Sequence, residues 1–425
     1  MNDRIFIQIA AYRDPQLVPT IVDALENASE PKHLRFCVAW QHGPEESLGE
    51  IKDHAQVEII DIPHTESRGA CWARHQIQKR FCGEEYTLCL DSHHRFVQGW
   101  DTKCIEMLRL LQEDGIAKPL LTTYASPFDP ANDPRGRSQQ VMRMDFDRFI
   151  PEGAIFFRPS AMPQKTPKPV PSRFLSAHFI FTLGQFCTEV PYDPEFYFHG
   201  EEISLAVRAF THGYDLFHPN ETILWHEYTR KGREKHWDDH KNWHLMNEVA
   251  HSRNRQLLGV DGPSDTFPPI DFGPYGLGTT RTLRDYERYA GVHFGLRAVH
   301  EHTLLHRPLP VPGADLPDSE WEKAFSFEFE HTIQATPLAE WAQADIDFCC
   351  VAYDDASDQQ IFRRDLAGEA LQATFQGAMT GMVPRQIQIP NRFYVPRGRR
   401  LQKWVLWPHC RTSGWQKKLE GEVQP

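Results

Sequence analysis

Four apolar runs of strand length, two of them preceded by stretches of helical spacing, crowd into the first ninety residues and restrict this chain to an α/β sheet. Residues 4–12 lead into Asp14-Pro15, a helix-capping carboxylate followed by a proline that suits a first helical turn. Leu17, Val18, Ile21, Val22 and Leu25 then recur at helical spacing. Runs at 34–40 and 57–60, a helical stretch over 69–81 and a fourth run at 86–90 complete a β-α-β-β-α-β order. That is the layout of a nucleotide-binding parallel sheet.

The fourth run ends in Asp91-Ser92-His93. Alternate residues of an extended segment face the same way, so Asp91 and His93 project together from the sheet edge. Ligands of open α/β sheets bind outside the carboxyl ends of the strands. A carboxylate and an imidazole there can hold a divalent ion against the diphosphate of a nucleotide. Taken alone, the Asp-x-His spacing is equally that of a surface pair without a role.

Five separated segments bring in a resemblance: Ile9 to Pro15, Arg68-Gly69-Ala70-Cys71-Trp72-Ala73-Arg74, Asp91-Ser92-His93 with Arg95 to Asp101, Phe198-His199-Gly200-Glu201-Glu202, and Tyr275 to Thr282. In this order they resemble the hydroxyproline-type polypeptide α-N-acetylglucosaminyltransferases, over residues 3–295. The resemblance implies a GT-A fold, UDP-N-acetylglucosamine as donor, a divalent metal (Mn²⁺ or Mg²⁺) and retention of anomeric configuration. It places Ala11, Tyr12 and Arg13 at the donor nucleoside, with Arg68, Arg74 and Ser92 near the nucleotide or diphosphate, and it makes His226 the third metal ligand beside Asp91 and His93. It also sets Glu201, with Glu202 beside it, toward the acceptor. Acidic residues at a helix start also complement its dipole, and that reading stays open for both glutamates. His218 reads as a loop histidine, and Trp40 as core or as a neighbour of the nucleoside.

The run from Arg230 to His240 has two readings, a solvated mixed-charge face or a lid whose Lys231 and Arg233 close over the diphosphate. Two proline-bearing loops, 126–136 and 158–171, read as an acceptor rim or a surface excursion; so much proline keeps the backbone out of a central strand.

Composition narrows the class. A net charge of −12 argues against a general nucleic-acid partner. No run approaches the roughly 18 consecutive apolar residues of a membrane span, and the first residues lead straight into a strand. Nine cysteines without paired spacing read as reduced thiols of a cytoplasmic protein. Past residue 297 the resemblance fades. Residues 306–313 read as a linker, and alternating runs at 325–330, 346–353, 360–364 and 403–407 predict a β-rich accessory domain, a sandwich whose Trp404 and Trp407 read as core residues or as platforms for stacking on sugar. The expected division is therefore 1–312, a GT-A catalytic domain, and 313–425, an all-β module. The partners expected are a UDP-sugar and a protein or glycan acceptor; a sugar-nucleotide-binding or lectin-like protein without turnover is the alternative.

Overall fold

The computed structural model describes residues 3–150, 153–163, 165–229, 232–260, 268–343, 345–375 and 385–423. The chain forms two compact units, Met1–Leu296 with His302–Ala314, and Arg297–Glu301 with Asp315–Pro425.

The first unit opens with β1 (Ile5–Tyr12), α1 (Leu17–Asn27), β2 (Leu34–His42), β3 (Val57–Pro63), α2 (Ala70–Gln78) and β4 (Tyr86–Leu90). It continues through β5 (His94–Phe96), α3 (Trp100–Glu113), β6 (Pro119–Thr122), β7 (Ser126–Pro127), β8 (Met142–Phe149), β9 (Ile155–Ala161), β10 (Val170–Pro171) and β11 (Phe179–Leu183). Then follow α4 (Phe186–Glu189), α5 (Glu201–Thr211), β12 (Asp215–His218), β13 (Leu224–His226), α6 (His236–Asp239), α7 (Trp243–Leu257) and α8 (Leu283–Ala290).

The main sheet has eight strands in the order β10-β12-β6-β11-β4-β1-β2-β3. Strands β4, β1, β2 and β3 are parallel, which aligns their carboxyl ends. The sheet is mixed rather than wholly parallel, because β11 runs antiparallel between β4 and β6. Parallel neighbours need a crossover, usually a helix; what joins β6 to β11 is instead the β8–β9 hairpin. Both faces of the sheet are covered, as near-continuous apolar strands require. Ile5, Ile7, Ile9, Leu88 and Leu90 pack with Leu17 and Ile21 of α1 and Leu108 of α3. Phe6, Cys37 and Ala39 pack on the other side against Ala73 and Ile77 of α2. This is the expected α/β arrangement, a largely parallel sheet covered by helices, followed by a β-rich unit.

Three local expectations change. Residues 158–161 are not loop but the end of β9, paired with β8. Pro171 does join the sheet, on the edge strand β10, where a missing N–H costs no ladder bond. His218 is a buried strand residue whose Nδ1 lies 2.9 Å from the Thr122 carbonyl and whose Nε2 accepts from the Met144 amide.

The second unit pairs Ala298–His300 with Phe325–Ala335 and that strand with Ile387–Pro396. A further sheet centres on Ile346–Asp355, flanked by Gln360–Ala367 and Leu401–Cys410. Ile333, Ile389 and Phe393 of the one meet Val351, Tyr353 and Leu406 of the other in a single core. One helix, Gly368–Phe375, lies among the strands. Trp404 is in that core, but Trp407 is 38% exposed against Trp415. Three residues is an odd step along a strand, so the two indoles face opposite ways. Among the described residues no helix is long and apolar enough to cross a membrane.

Candidate active site

Asp91 is the first residue past β4, at the carboxyl edge of the parallel strands. The antiparallel pairing of β13 with β5 sets His226 opposite His94 and so brings it beside the Asp91-Ser92-His93 turn. His226 Nε2 lies 3.4 Å and His93 Nε2 3.8 Å from Asp91 Oδ2, and one ligand atom from each residue falls within 4.8 Å of the others. The other Asp91 oxygen, Oδ1, takes a 2.6 Å hydrogen bond from Arg74 Nη2. Arg74 therefore stands behind the carboxylate and leaves Oδ2 to the two imidazoles.

Protonation suits a cation. Burial opposes ionisation of Asp91, but the His226 hydrogen bond and the charges of Arg74 and His93 outweigh it and hold its pKa well below the usual carboxylate range. Burial pushes the His226 pKa far down, so its ring is neutral, and its Nδ1 is buried without a hydrogen-bond partner. A carboxylate and two imidazoles are a donor set for Mn²⁺ or a similar divalent ion. The residues fit such an ion.

Asp14, read from the sequence as a helix cap, is not the cap of α1, which begins at Leu17 with Gln16 at its N-cap position and no side-chain cap. Its Oδ1 accepts from the Gln16 amide at 2.8 Å, just before α1. Its Oδ2 accepts from Ser92 Oγ at 2.6 Å, His93 Nδ1 at 2.7 Å and Arg233 Nη1 at 2.9 Å. Arg233 Nη2 donates to Glu227 Oε2 at 2.7 Å, and its side chain is only 8% exposed. Arg233 is thus clamped beside His93 rather than held out over solvent. Lys231 lies outside the described residues. Burial works against ionisation of Asp14, yet His93 and Arg233 hold its pKa down to about 2. No local pattern marks this role, since the partners come from two distant segments, the Ser92-His93 turn and the stretch that carries Arg233.

A cavity of about 420 Å³ opens beside the triad, lined among others by Arg74, Asp91, His178, Phe198, Glu201 and His226. Glu201 and Glu202 form the first turn of α5, as the sequence indicated. Their environments differ. Glu202 Oε1 accepts from Ser176 Oγ and the Ala177 amide, each at 3.0 Å, and Oε2 accepts from Tyr124 Oη at 3.3 Å. Glu201 Oε1 is buried with no hydrogen bond, 3.7 Å from Arg74 Nε, and burial raises its pKa. His178 and Tyr124, not singled out by the sequence, share this wall; the His178 ring stacks on His226 with centroids 4.3 Å apart.

A second cavity, about 110 Å³, is lined by Ala10, Tyr12, Gln41, Gly69, Tyr197, Phe198, His236 and Trp237, and Phe198 borders both. Tyr12 Oη donates to Asp239 at 2.6 Å, and Arg13, in the left-handed region at φ 43°, pairs with Asp239 and Glu45. Ala11 is buried, its carbonyl accepting from Gln41 Nε2. Gly69 precedes α2 at φ 98°, where a Cβ would sit 3.0 Å from the Tyr197 ring. Arg68 is exposed, its guanidinium 5.9 Å from the Trp72 ring, and Trp40 stacks on His42 at the edge of the core.

No curated protein matches the chain. Among solved structures it is similar to GalNAc-T7 with UDP, GalNAc and Mn²⁺ (13% identity, 60% of this chain and 48% of that chain, TM-score 0.45). It is also similar to S. aureus TarS 1–349 in complex with UDP-GlcNAc (12%, 59% and 67%, TM-score 0.35) and to the mannosyltransferase PcManGT from Pyrobaculum calidifontis with GDP-Man and Mn²⁺ (12%, 64% and 67%, TM-score 0.35). The chain spans about half the length of the GalNAc-T7 structure. The glycosyltransferase (GlcNAc) family matches over residues 4–54 and 44–295, a span that holds the triad, both cavities and the two glutamates. With more than half of its 425 residues matched, the chain belongs to the glycosyltransferase (GlcNAc) family.

Proposed function

We propose that this chain is a metal-dependent, retaining N-acetylglucosaminyltransferase that carries the sugar from UDP-N-acetylglucosamine to a hydroxyl acceptor, a protein hydroxyproline or a glycan. One observation carries the reading: Asp91, His93 and His226 converge at the carboxyl edge of the sheet, and Asp91 and His226 line a cavity together with Glu201. A divalent ion held by those three residues would supply Lewis-acid stabilisation of the departing diphosphate.

The remaining roles follow from contacts. Tyr12 and Gln41, on the wall of the smaller cavity, would bracket the nucleoside, and Ala70 and Phe198, common to both cavities, would border the path of the diphosphate. Arg74 fixes Asp91 and neutralises the buried charge around it. In the transfer the bond from C1 to the diphosphate oxygen breaks with its electron pair going to UDP. The acceptor oxygen bonds to C1 on the same face, and its proton passes to the leaving phosphate. The transition state is oxocarbenium-like. Glu201, with an oxygen unclaimed by any hydrogen bond, would face that positive charge, whereas Glu202 has both oxygens engaged and holds Ser176, Ala177 and Tyr124 in the wall. A reducing, cytoplasmic setting belongs to the same proposal, with all nine cysteines free.

The test is UDP release from UDP-N-acetylglucosamine with Mn²⁺, with Mg²⁺ and with chelator. Metal-dependent release supports an enzyme. Metal-enhanced UDP binding without release would make the chain a sugar-nucleotide-binding protein. Mass spectrometry of a lysate treated with the protein and donor identifies the acceptor.

A further inference from the structure

Resting on the metal-dependent reading above, we infer that Asp14 is a positioning residue for the metal site, acting through His93 and against the charge of Arg233. The geometry is specific. His93 reaches toward Asp91 with Nε2 and gives Nδ1 to Asp14 at 2.7 Å. A ring whose Nδ1–H is held by a carboxylate has its Nε2 lone pair fixed in direction and made more basic. Ser92 Oγ, 2.6 Å from the same Asp14 oxygen, fixes that carboxylate from the neighbouring residue. Because the Arg233 guanidinium donates to this oxygen too, Arg233 Nη1 comes within 2.5 Å of His93 Nδ1.

The guanidinium makes the second half of the argument. A buried cation that close to a metal ligand repels an incoming divalent ion unless it is neutralised. Two carboxylates do so, Asp14 at 2.9 Å and Glu227 at 2.7 Å, with side chains 3% and 5% exposed. Asp14 therefore aims one ligand and cancels a neighbouring charge, from a loop 79 residues away in sequence. The segment that carries Arg233 runs on to α6, where His236 Nδ1 lies 2.8 Å from Tyr197 Oη and Asp239 accepts from Tyr12. Through Asp14 the metal ligands and the wall of the smaller cavity thus share one anchored segment.

The experiment measures Mn²⁺ affinity of the full chain by calorimetry, for wild type, Asp14→Asn and Ser92→Ala, without donor, together with the visible spectrum of each protein loaded with Co²⁺. Asp14→Asn is expected to bind Mn²⁺ about 10- to 100-fold more weakly and, at saturating Co²⁺, to show a shifted spectrum, which a general loss of stability would not produce. Ser92→Ala, which keeps all charges and serves should Asp14→Asn not fold, is expected to weaken Mn²⁺ binding by about two- to tenfold, the worth of one hydrogen bond. Wild-type affinity and an unshifted spectrum in the folded variants would overturn the assignment of Asp14 while leaving the metal-dependent reading intact. No Mn²⁺ binding by the wild type would overturn both.

Discussion

The carboxyl edge of the main sheet buries charge, and the C-terminal sandwich buries apolar surface. Around Asp91 the side chains of Asp14, Arg74, Glu201, Glu227 and Arg233 are each less than a tenth exposed. The sandwich core is Ile, Val, Leu and aromatic rings, and among the described residues its buried polar groups include Asp355, which caps a turn by accepting from Ser357, Gln359 and Arg399. Buried ion pairs are weak contributors to stability, because desolvation cancels much of their attraction, and groups so perturbed gather where chemistry is done. The contrast separates a region shaped to hold a ligand from one shaped to hold itself together.

The largest effect expected lies at the triad. Asp91→Asn, His93→Ala and His226→Ala should each lower kcat/KM for transfer by about a thousandfold, corresponding to several kcal/mol of charge stabilisation. Calorimetric titration of UDP with and without Mn²⁺ should show the metal enhancement lost in all three. If His226→Ala alone keeps it, the third ligand is elsewhere.

Next come two substitutions that should cost similar stability for opposite reasons. Arg74→Met leaves the buried Glu201 and the partly exposed Asp91 without their cation, about 3–5 kcal/mol. Trp404→Ala leaves a cavity in the sandwich, also about 3–5 kcal/mol. Urea unfolding at two pH values tells them apart. The loss in Arg74→Met should shrink toward pH 4 as the stranded carboxylates take up protons, and the loss in Trp404→Ala should not; equal pH responses would erase the contrast.

Glu202 gives a third test. Burial pushes its pKa up to about 7. Below pH 4.5 both folded and unfolded forms are protonated and the group is neutral in its effect. Between 4.5 and 7 the unfolded chain ionises while the folded one keeps its proton, so stability falls as pH rises, by on the order of 3 kcal/mol in total. Urea midpoints between pH 4 and 8 should flatten in Glu202→Gln relative to wild type. The smallest effect should be that of Trp407→Ala, about 0.5 kcal/mol or less by the same denaturation, since that indole packs on the outside of the sandwich.

What the sequence made legible was local. The apolar runs of β1 to β4 declared themselves because both faces of those strands are covered, and Asp91-Ser92-His93 stood out because it follows one of them. Glu201 and Glu202 fell at a helix start because the apolar positions after them keep helical spacing. Arg233 was singled out as a lid residue, but its burial was not legible: a mixed-charge run looks solvated or mobile until Asp14 and Glu227 are folded around it. Asp14 was hidden by a local reading as a helix cap that the structure does not bear out, since α1 starts at Leu17 behind Gln16. The β8–β9 hairpin was missed because Arg143, Asp145 and Arg148 break its apolar pattern. Trp407 was a different failure, since the odd spacing from Trp404 already placed it on the far face.

Gly69 has an evolutionary consequence. Every residue that a point mutation can put there adds a Cβ against the Tyr197 ring and adopts a backbone conformation that L-amino acids avoid. The mouth of the smaller cavity therefore cannot drift by single replacements at this position. A side chain at 69 calls for both a smaller residue at 197 and a different backbone course into α2, so change at this corner of the cavity should come as coupled substitutions rather than at either site alone.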